Sequence, residues 1–580
     1  MTNKYELYRS ANTPVPERAW AWNMYGAGLD NMGRNGKPEH LPIPQPGDDQ
    51  LLIRIDSVGM CFSDVKIITQ GSKHPKLYNR DLTQEPTRLG HEVTLTVIEA
   101  GKNLQDRYHH GQRLAVQPDI YQNGKSTAYG YTIPGGLIQY HLIGAEVLET
   151  DAGACLLPLA GEMGYAESSL LEPWGCVVAS YTQRRRLEPK VGGVMWLVGQ
   201  PSDTREYQFS RGLTAAATLI LTDVPPSVQQ LAAQTQAAVI ERNHLSPADY
   251  AVLKDEFTHG AGFDDIVVID PRSATAVSEI ARCIARRGTM NLVGQTPLAD
   301  VVSADVGRLH YDYIAFVGNP GPDIALSYGE ERNRCELRPR GAAVFVGAGG
   351  PMGQMHVQRA IELPNGPRLI IATEVNDGRL EAIQRQFGPL AQANGRELLV
   401  FNPQNAHESL FEFVMRATDQ LGADDVVICV PVASLMAEAA TLMKADGMLV
   451  LFAGVPNGTM APLDLSTVYL GNAQYTGTSG LTINDQAAVM ARALDGSLSP
   501  ERSVAAIGGM STAQEAMAAV MAGRYPGKIV IFPQIHDLPL LGLDELAEKL
   551  PDVGAKLGPG NVWTDEAEAT LIELYWQPTF

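Results

Sequence analysis

Residues 343–362 read AVFVGAGGPMGQMHVQRAIE: an apolar run of strand length, a turn dense in glycine, and a stretch with amphipathic helical spacing. Gly347, Gly349, Gly350 and Gly353, with Met352 among them, would let the backbone turn tightly and approach a pyrophosphate, whose charge then sits at the positive end of the helix. A glycine cluster alone is weak evidence. The context adds specificity, because the next apolar run, LIIATE, ends on Glu374 about twenty residues later, where a carboxylate can bind a ribose diol. Glu374 would repel a 2′-phosphate, and the following Val375 and Asn376 supply no arginine, so NAD is expected over NADP.

Working outward, apolar runs alternate with Ala-rich helical stretches after Glu172, among them 273–288, SATAVSEIARCIARRG, and 434–447, SLMAEAATLMKADG. That is the pattern of parallel α/β layers. The region repeats itself: 262–294 reads against 422–454 with no gap, the run ending at Gly199 matches the one ending at Gly347, and LILTDV ending at Val224 matches IIATEV ending at Val375. Two tandem Rossmann-like, doubly wound parallel-sheet units are expected. The turn of the first, VGQPSDTREYQFSRG, has lost the glycines after Gly199, so only the second unit is expected to take a dinucleotide, although Asp223 stands where Glu374 stands. From about 18 to 160, by contrast, short runs such as LLIRIDSVGM and HEVTLTVIEAG broken by Gly and Pro predict a compact β-rich domain. The fold class is therefore α/β plus β.

A chain of 580 residues is too long for one core. A net charge of −20 excludes a general nucleic-acid binder and favours a small-molecule substrate. Six cysteines scattered along the chain suggest a reducing compartment, and the N-terminus lacks an apolar stretch of signal-peptide length, so a cytoplasmic, membrane-free enzyme is expected.

In DSVGMCFSDVKI, Cys61 follows a strand, with Ser63 and Asp64 close behind; in RLGHEVTLTVIEAG, His91 and Glu92 open another. Thiolate, imidazole and carboxylate are ligand types suited to zinc, and a catalytic site takes three protein ligands and keeps one position open. Glu172, in SSLLEPWGC, is a third candidate, with Cys176 a substitute one helical turn on. Lys73, His74 and Lys76 form a small basic cluster between the two motifs, suited to a substrate phosphate or simply to solvent.

These motifs, with Gly-Gln-Arg-Leu at 111–114, Gly-Gly-Leu-Ile-Gln-Tyr at 135–140 and Glu-Pro at 172–173, resemble those of the zinc-dependent medium-chain alcohol/polyol dehydrogenases, in particular the sorbitol dehydrogenase and L-sorbose-1-phosphate reductase-like branch. The resemblance implies a GroES-like catalytic domain, one catalytic zinc on Cys61, His91 and Glu172 (the last directly or through water), Ser63 as proton relay and a nearby Glu92. It also implies hydride transfer between NAD(H) and a secondary alcohol or ketone, a polyol or sugar phosphate, in a homo-oligomer (dimer or tetramer). Residues 115–150 contain no cysteine, so no structural zinc is expected. The expected divisions are 1–180 GroES-like catalytic domain, 181–335 degenerate Rossmann-like unit, 336–484 cofactor-binding Rossmann domain, 485–537 return to the catalytic domain, and 538–580 extension. The competing readings are a non-catalytic nucleotide-binding sensor or scaffold, and a metal-free quinone or enoyl reductase. The retained Cys61, Ser63, His91 and Glu172 argue against the first, and the second does not explain Cys61 and Gly-His-Glu at 90–92 together.

Overall fold

The computed structural model describes residues 3–161 and 163–578; positions 1, 2, 162, 579 and 580 of the expected divisions lie outside the described residues. The chain falls into two compact units. One comprises the segment up to Ala179, Gly350–Met355 and the segment from Gly480; the other comprises Ser180–Gly349 and His356–Ser479.

The first unit is built on a mixed sheet running Leu156–Pro158, Arg113–Val116, Glu92–Ala100, Leu51–Met60, Lys528–Phe532, Val504–Gly509, Leu541–Gly542, with Tyr140–Ile143 also pairing to Leu51–Met60. Every residue of Leu51–Met60 is buried, including Arg54 and Asp56, which satisfy each other as an ion pair at 2.8 Å. Beneath it, Ile53, Ile55, Val58, Leu95, Val97, Ile529 and Ile531 share one core. The C-terminal helix Asp565–Tyr575 is fastened to this unit by Glu568, whose carboxylate accepts hydrogen bonds from the Tyr165 and Ala166 amides at 2.6 and 2.8 Å.

The second unit holds two parallel sheets, each six-stranded among the described residues. The first runs Ala238–Glu241, Thr218–Thr222, Val194–Val198, Phe263–Ile269, Ile284–Val293, Ala315–Asn319; the second runs Glu397–Phe401, Leu369–Thr373, Ala342–Val346, Ala423–Ile428, Met443–Leu451, Gln474–Gly477. In each, the third strand in sequence lies at one edge and the order reverses between first and fourth, the doubly wound pattern. These are the tandem Rossmann-like units.

Two details depart from the sequence reading. The helices expected through 273–288 and 434–447 end at Ala281 and Ala440, and the next strands begin at Ile284 and Met443. Each strand opens on an irregular turn with positive φ at Arg287 (59°) and Asp446 (61°), a bulge that helical periodicity does not reveal. The ungapped repeat also slips: Phe263 pairs with Ile284 but Ala423 with Met443, so the second repeat is one residue shorter beyond its fourth strand.

No helix among the described residues is long and apolar enough to cross a membrane.

Candidate functional site

Register brings the metal motifs together. Strand Glu92–Ala100 pairs antiparallel with Leu51–Met60 so that Gly59 lies opposite Glu92, which sets His91 and Glu92 beside Cys61 at the strand's exit. A Cβ on Gly59 would stand 2.2 Å from Glu92 Oε2 and 3.0 Å from Glu92 Cβ, so a larger residue there would displace that carboxylate. The ligand atoms of Cys61, His91 and Glu92 lie within 4.8 Å of one another. Glu172, on the helix Leu171–Ala179, is buried nearby; its Oε1 lies 3.8 Å from Cys176 Sγ, and its charge acts on the same group of residues. Burial, then Glu92, push its carboxyl up to about 7, against His91 and Lys528.

Around these groups the hydrogen bonds fix orientation. Asp64 Oδ1 faces His91 Nδ1 at 3.3 Å, accepts from the Gly90 amide at 3.2 Å, and its Oδ2 accepts from the Cys61 amide at 3.3 Å. This holds the imidazole by Nδ1 and turns Nε2 towards Cys61, the arrangement of a carboxylate-supported metal-binding histidine. Burial opposes the imidazolium of His91, yet Asp64 and Cys61 outweigh it and raise its pKa well above the usual value. Ser63 Oγ lies 3.0 Å from Cys61 Sγ and 3.3 Å from His91 Nε2. Lys528, on the returning strand, forms a buried ion pair with Glu92, while Glu92 Oε2 has no hydrogen-bond partner among the described residues. A cysteine sulfur, an imidazole with Nε2 presented, and a buried carboxylate oxygen without a partner fit a zinc ion.

Asp64 and Lys528 were not singled out by sequence. Asp64 was legible as the third residue after Cys61, a helix-start position where a carboxylate reaches back. Lys528 stands 436 residues from Glu92 along the chain, and only the sheet order makes them neighbours.

On the same unit, Lys76 pairs with Asp119 at 3.2 Å and lies over the Tyr131 ring, which in turn packs against His91 and His74. Burial, with Lys76 and Lys66 nearby, pulls the pKa of His74 down to about 4. Lys73 is exposed.

In the glycine turn, Gly347 has φ +77°, and a Cβ on Gly349 would meet Glu374 Oε2 at 2.2 Å; at Gly350 nothing lies within 4 Å of the added atom. Helix Pro351–Glu362, carrying Met352 and Gly353, follows directly. Glu374 Oε1 accepts from the Val375 and Asn376 amides at 2.8 and 3.2 Å. One helical turn further on, Arg379 Nη1 comes within 3.9 Å of Glu374 Oε2, so an arginine does reach this carboxylate, which Val375 and Asn376 alone had not suggested.

The corresponding turn of the first repeat is filled. Asp203 is buried and binds Arg205 through both carboxylate oxygens and the Tyr207 hydroxyl at 2.8 Å, while Arg205 bridges on to Asp270 at 2.8 Å. No α-helix is present between Val194–Val198 and Thr218–Thr222 among the described residues, so the helix N-terminus that would receive a pyrophosphate is missing. Asp223 instead accepts the His244 amide at 3.1 Å.

Residues 47–151 match the Alcohol dehydrogenase GroES-like domain family. Over 544 residues, 92% of this chain and 94% of the relative, the sequence is 22% identical to a mannitol-1-phosphate 5-dehydrogenase of Aliivibrio fischeri. Over 549 residues, 93% and 95% respectively, it is 22% identical to an L-sorbose 1-phosphate reductase of Klebsiella pneumoniae. Among solved structures, 2R,3R-butanediol dehydrogenase from Bacillus subtilis covers 89% of this chain and 99% of its own at 14% identity and TM-score 0.49. A GroES-like domain, relatives similar over nearly the whole length and two doubly wound sheets together support the medium-chain alcohol/polyol dehydrogenase family for this chain.

Proposed function

We propose that the protein is a zinc-dependent, NAD(H)-linked dehydrogenase of sugar-alcohol phosphates, and the observation that carries this is the convergence of Cys61, His91 and Glu92 ligand atoms beside the buried Glu172. Cys61 and His91 would hold the zinc, with Glu172 or Glu92 as third ligand, directly or through water. When bound, zinc supplies a Lewis acid that polarises a carbonyl or lowers the pKa of an alcohol, and the nicotinamide exchanges a hydride.

The chain's own residues do the rest. Asp64 fixes the His91 ring. Ser63, within hydrogen-bonding distance of Cys61 and His91, takes the alcohol proton and passes it on. Lys528 balances the charge of Glu92, so that Glu92 and Glu172 can share one buried space beside Cys61. Gly347, Gly349, Gly350, Met352 and Gly353 admit the pyrophosphate, and Glu374 takes the ribose diol, which favours NAD over NADP.

The phosphate is supported by the names of the two long relatives and by the cluster at Lys73, His74 and Lys76. Lys76 is half-buried and held by Asp119, so it is placed rather than free to wave in solvent. The test is a screen of sugar alcohols and their phosphates with NAD and NADP, following the reduced cofactor. A phosphorylated polyol oxidised with NAD is the expected result; unchanged Michaelis constants for every phosphorylated substrate in Lys73→Ala with Lys76→Ala would remove the cluster from the account.

A further inference from the structure

The second unit contains a seam between the two repeats. Strand Val302–Asp305, from the first, pairs antiparallel with Met460–Leu463, from the second, with Ser303 opposite Pro462. Sheet register fixes which residues correspond: Thr289 pairs with Ala315 as Met448 pairs with Gln474. Carried along the chain, the same spacing makes Ser303 the equivalent of Pro462, His310 of Tyr469, and Gly318 of Gly477. A strand thus pairs antiparallel with its own equivalent, centred on equivalent residues, which is the geometry of an isologous two-fold contact.

The flanking contacts are reciprocal in the same way. A Cβ on Gly477 would stand 2.9 Å from His310 Cα, and one on Gly318 would stand 3.0 Å from Tyr469 Cα. The hydrogen bonds that the equivalent pair makes across the seam are not copies of each other: His310 Nδ1 donates to the Leu451 carbonyl at 3.0 Å, whereas the Tyr469 hydroxyl donates to the Thr296 carbonyl at 2.7 Å, past Leu292, the equivalent of Leu451. The apolar core is continuous across the seam through Val302, Leu309, Phe316, Leu451, Val468 and Tyr469.

The two contacts also reach different surroundings. Leu451 ends a strand of the repeat that carries the glycine turn, and the carboxyl ends of strands are where a doubly wound sheet receives its ligand. The next residue, Phe452, packs its ring at 4.4 Å and 74° on His356 of the helix that follows that turn. The Tyr313 hydroxyl donates to the Ser479 carbonyl, just past the neighbouring strand Gln474–Gly477. Tyr469 reaches only the repeat whose turn is filled by Asp203 and Arg205.

We propose that the first repeat is a resident partner subunit, a two-fold contact internalised in one chain, and that its His310 is a positioning residue for the cofactor end of the second repeat. The inference rests on reading the second repeat as the dinucleotide unit. It assigns the degenerate repeat a purpose other than binding: it holds the strand ends that line the site.

The test compares His310→Leu with Tyr469→Phe in the full chain, since each removes a hydrogen bond across the seam at an equivalent position. Calorimetric binding of NAD, the thermal midpoint and the split between KM for NAD and kcat are read for both. His310→Leu should weaken NAD binding about tenfold, the scale of one lost buried hydrogen bond, and raise its KM. Tyr469→Phe should lower the thermal midpoint and leave NAD binding unchanged. His310→Gln, which keeps a donor, should recover part of the affinity, and Tyr313→Phe should weaken binding if His310→Leu fails to fold. Equal binding by both seam variants, or equal loss in both, would overturn the positioning role. If the unaltered chain bound no dinucleotide, the functional reading itself would fall and this role with it, a result plainly separate from the other two.

Discussion

His91 is held at Nδ1 by Asp64, and that one hydrogen bond decides which nitrogen a metal meets. Replacing the carboxylate by an amide keeps the shape but removes the charge that favours a donating Nδ1–H, so Asp64→Asn should lower zinc affinity by about 10–100-fold in a competitive chelator titration. Lys528→Met should do different damage. It leaves Glu92 as an uncompensated buried charge, and denaturant unfolding should show a loss on the order of 3–5 kcal/mol. The two residues also mark how far the sequence could be read at this scale. Cys61, His91 and Glu92 were legible because each sits where a strand begins or ends, positions at which a polar residue in an apolar run needs a reason. Lys528 was not, since KIVIF reads as any buried strand and nothing local says that its lysine faces a carboxylate far away in the chain.

The glycine turn is an element whose parts respond differently to the same change. At Gly350 an added methyl meets nothing within 4 Å, whereas at Gly349 it strikes Glu374. Gly350→Ala should therefore leave the folding stability within about 0.5 kcal/mol of the unaltered protein, as a substitution that meets no packed atom does, while weakening NAD binding if the pyrophosphate lies there. Gly349→Ala should move the Glu374 carboxylate and reduce the preference for NAD over NADP, measured as the ratio of kcat/KM values. Changes at Ser202 in the first repeat should alter neither. Strand order, repeat and glycine turn could be read because they depend on local pattern. The early ends of helices Ala274–Ala281 and Ala433–Ala440 could not, because the strands after them open on residues of high helical propensity and only the parallel ladder overrides it. The loss of the glycines after Gly199 was legible in the first repeat, but the absence of the helix and the Asp203–Arg205–Asp270 network in its place are tertiary facts.

Across the whole molecule, the C-terminal segment adds a pH dependence to stability. Burial raises Glu568 from 4.5 to about 7; burial, with Glu501, Asp565 and Glu568 around it, raises Glu167 to about 8. A carboxyl raised in the folded state holds its proton more tightly there than when unfolded, so its contribution is complete below about 4.5 and is lost as the pH climbs through about 7 to 8. The thermal midpoint should fall between pH 5 and pH 8.5, and Glu568→Gln should flatten that fall by roughly 2 kcal/mol when expressed as stability. At this scale the sequence showed an acidic tail with two tryptophans and no role. In the structure Trp563 and Trp576 are buried and Glu568 caps the amides of Tyr165 and Ala166, a partnership across 403 residues that no window of sequence contains. The proposed activity depends on the chemistry of Cys61, His91 and their neighbours. Its most direct test is NAD reduction by a phosphorylated sugar alcohol, followed before chelation, after removal of the metal, and after addition of zinc alone, with the zinc content measured at each stage. The account predicts about one zinc per chain at the start, activity lost with the metal, and activity restored by zinc in wild type but not in Cys61→Ser; undiminished turnover by the zinc-free protein would contradict it.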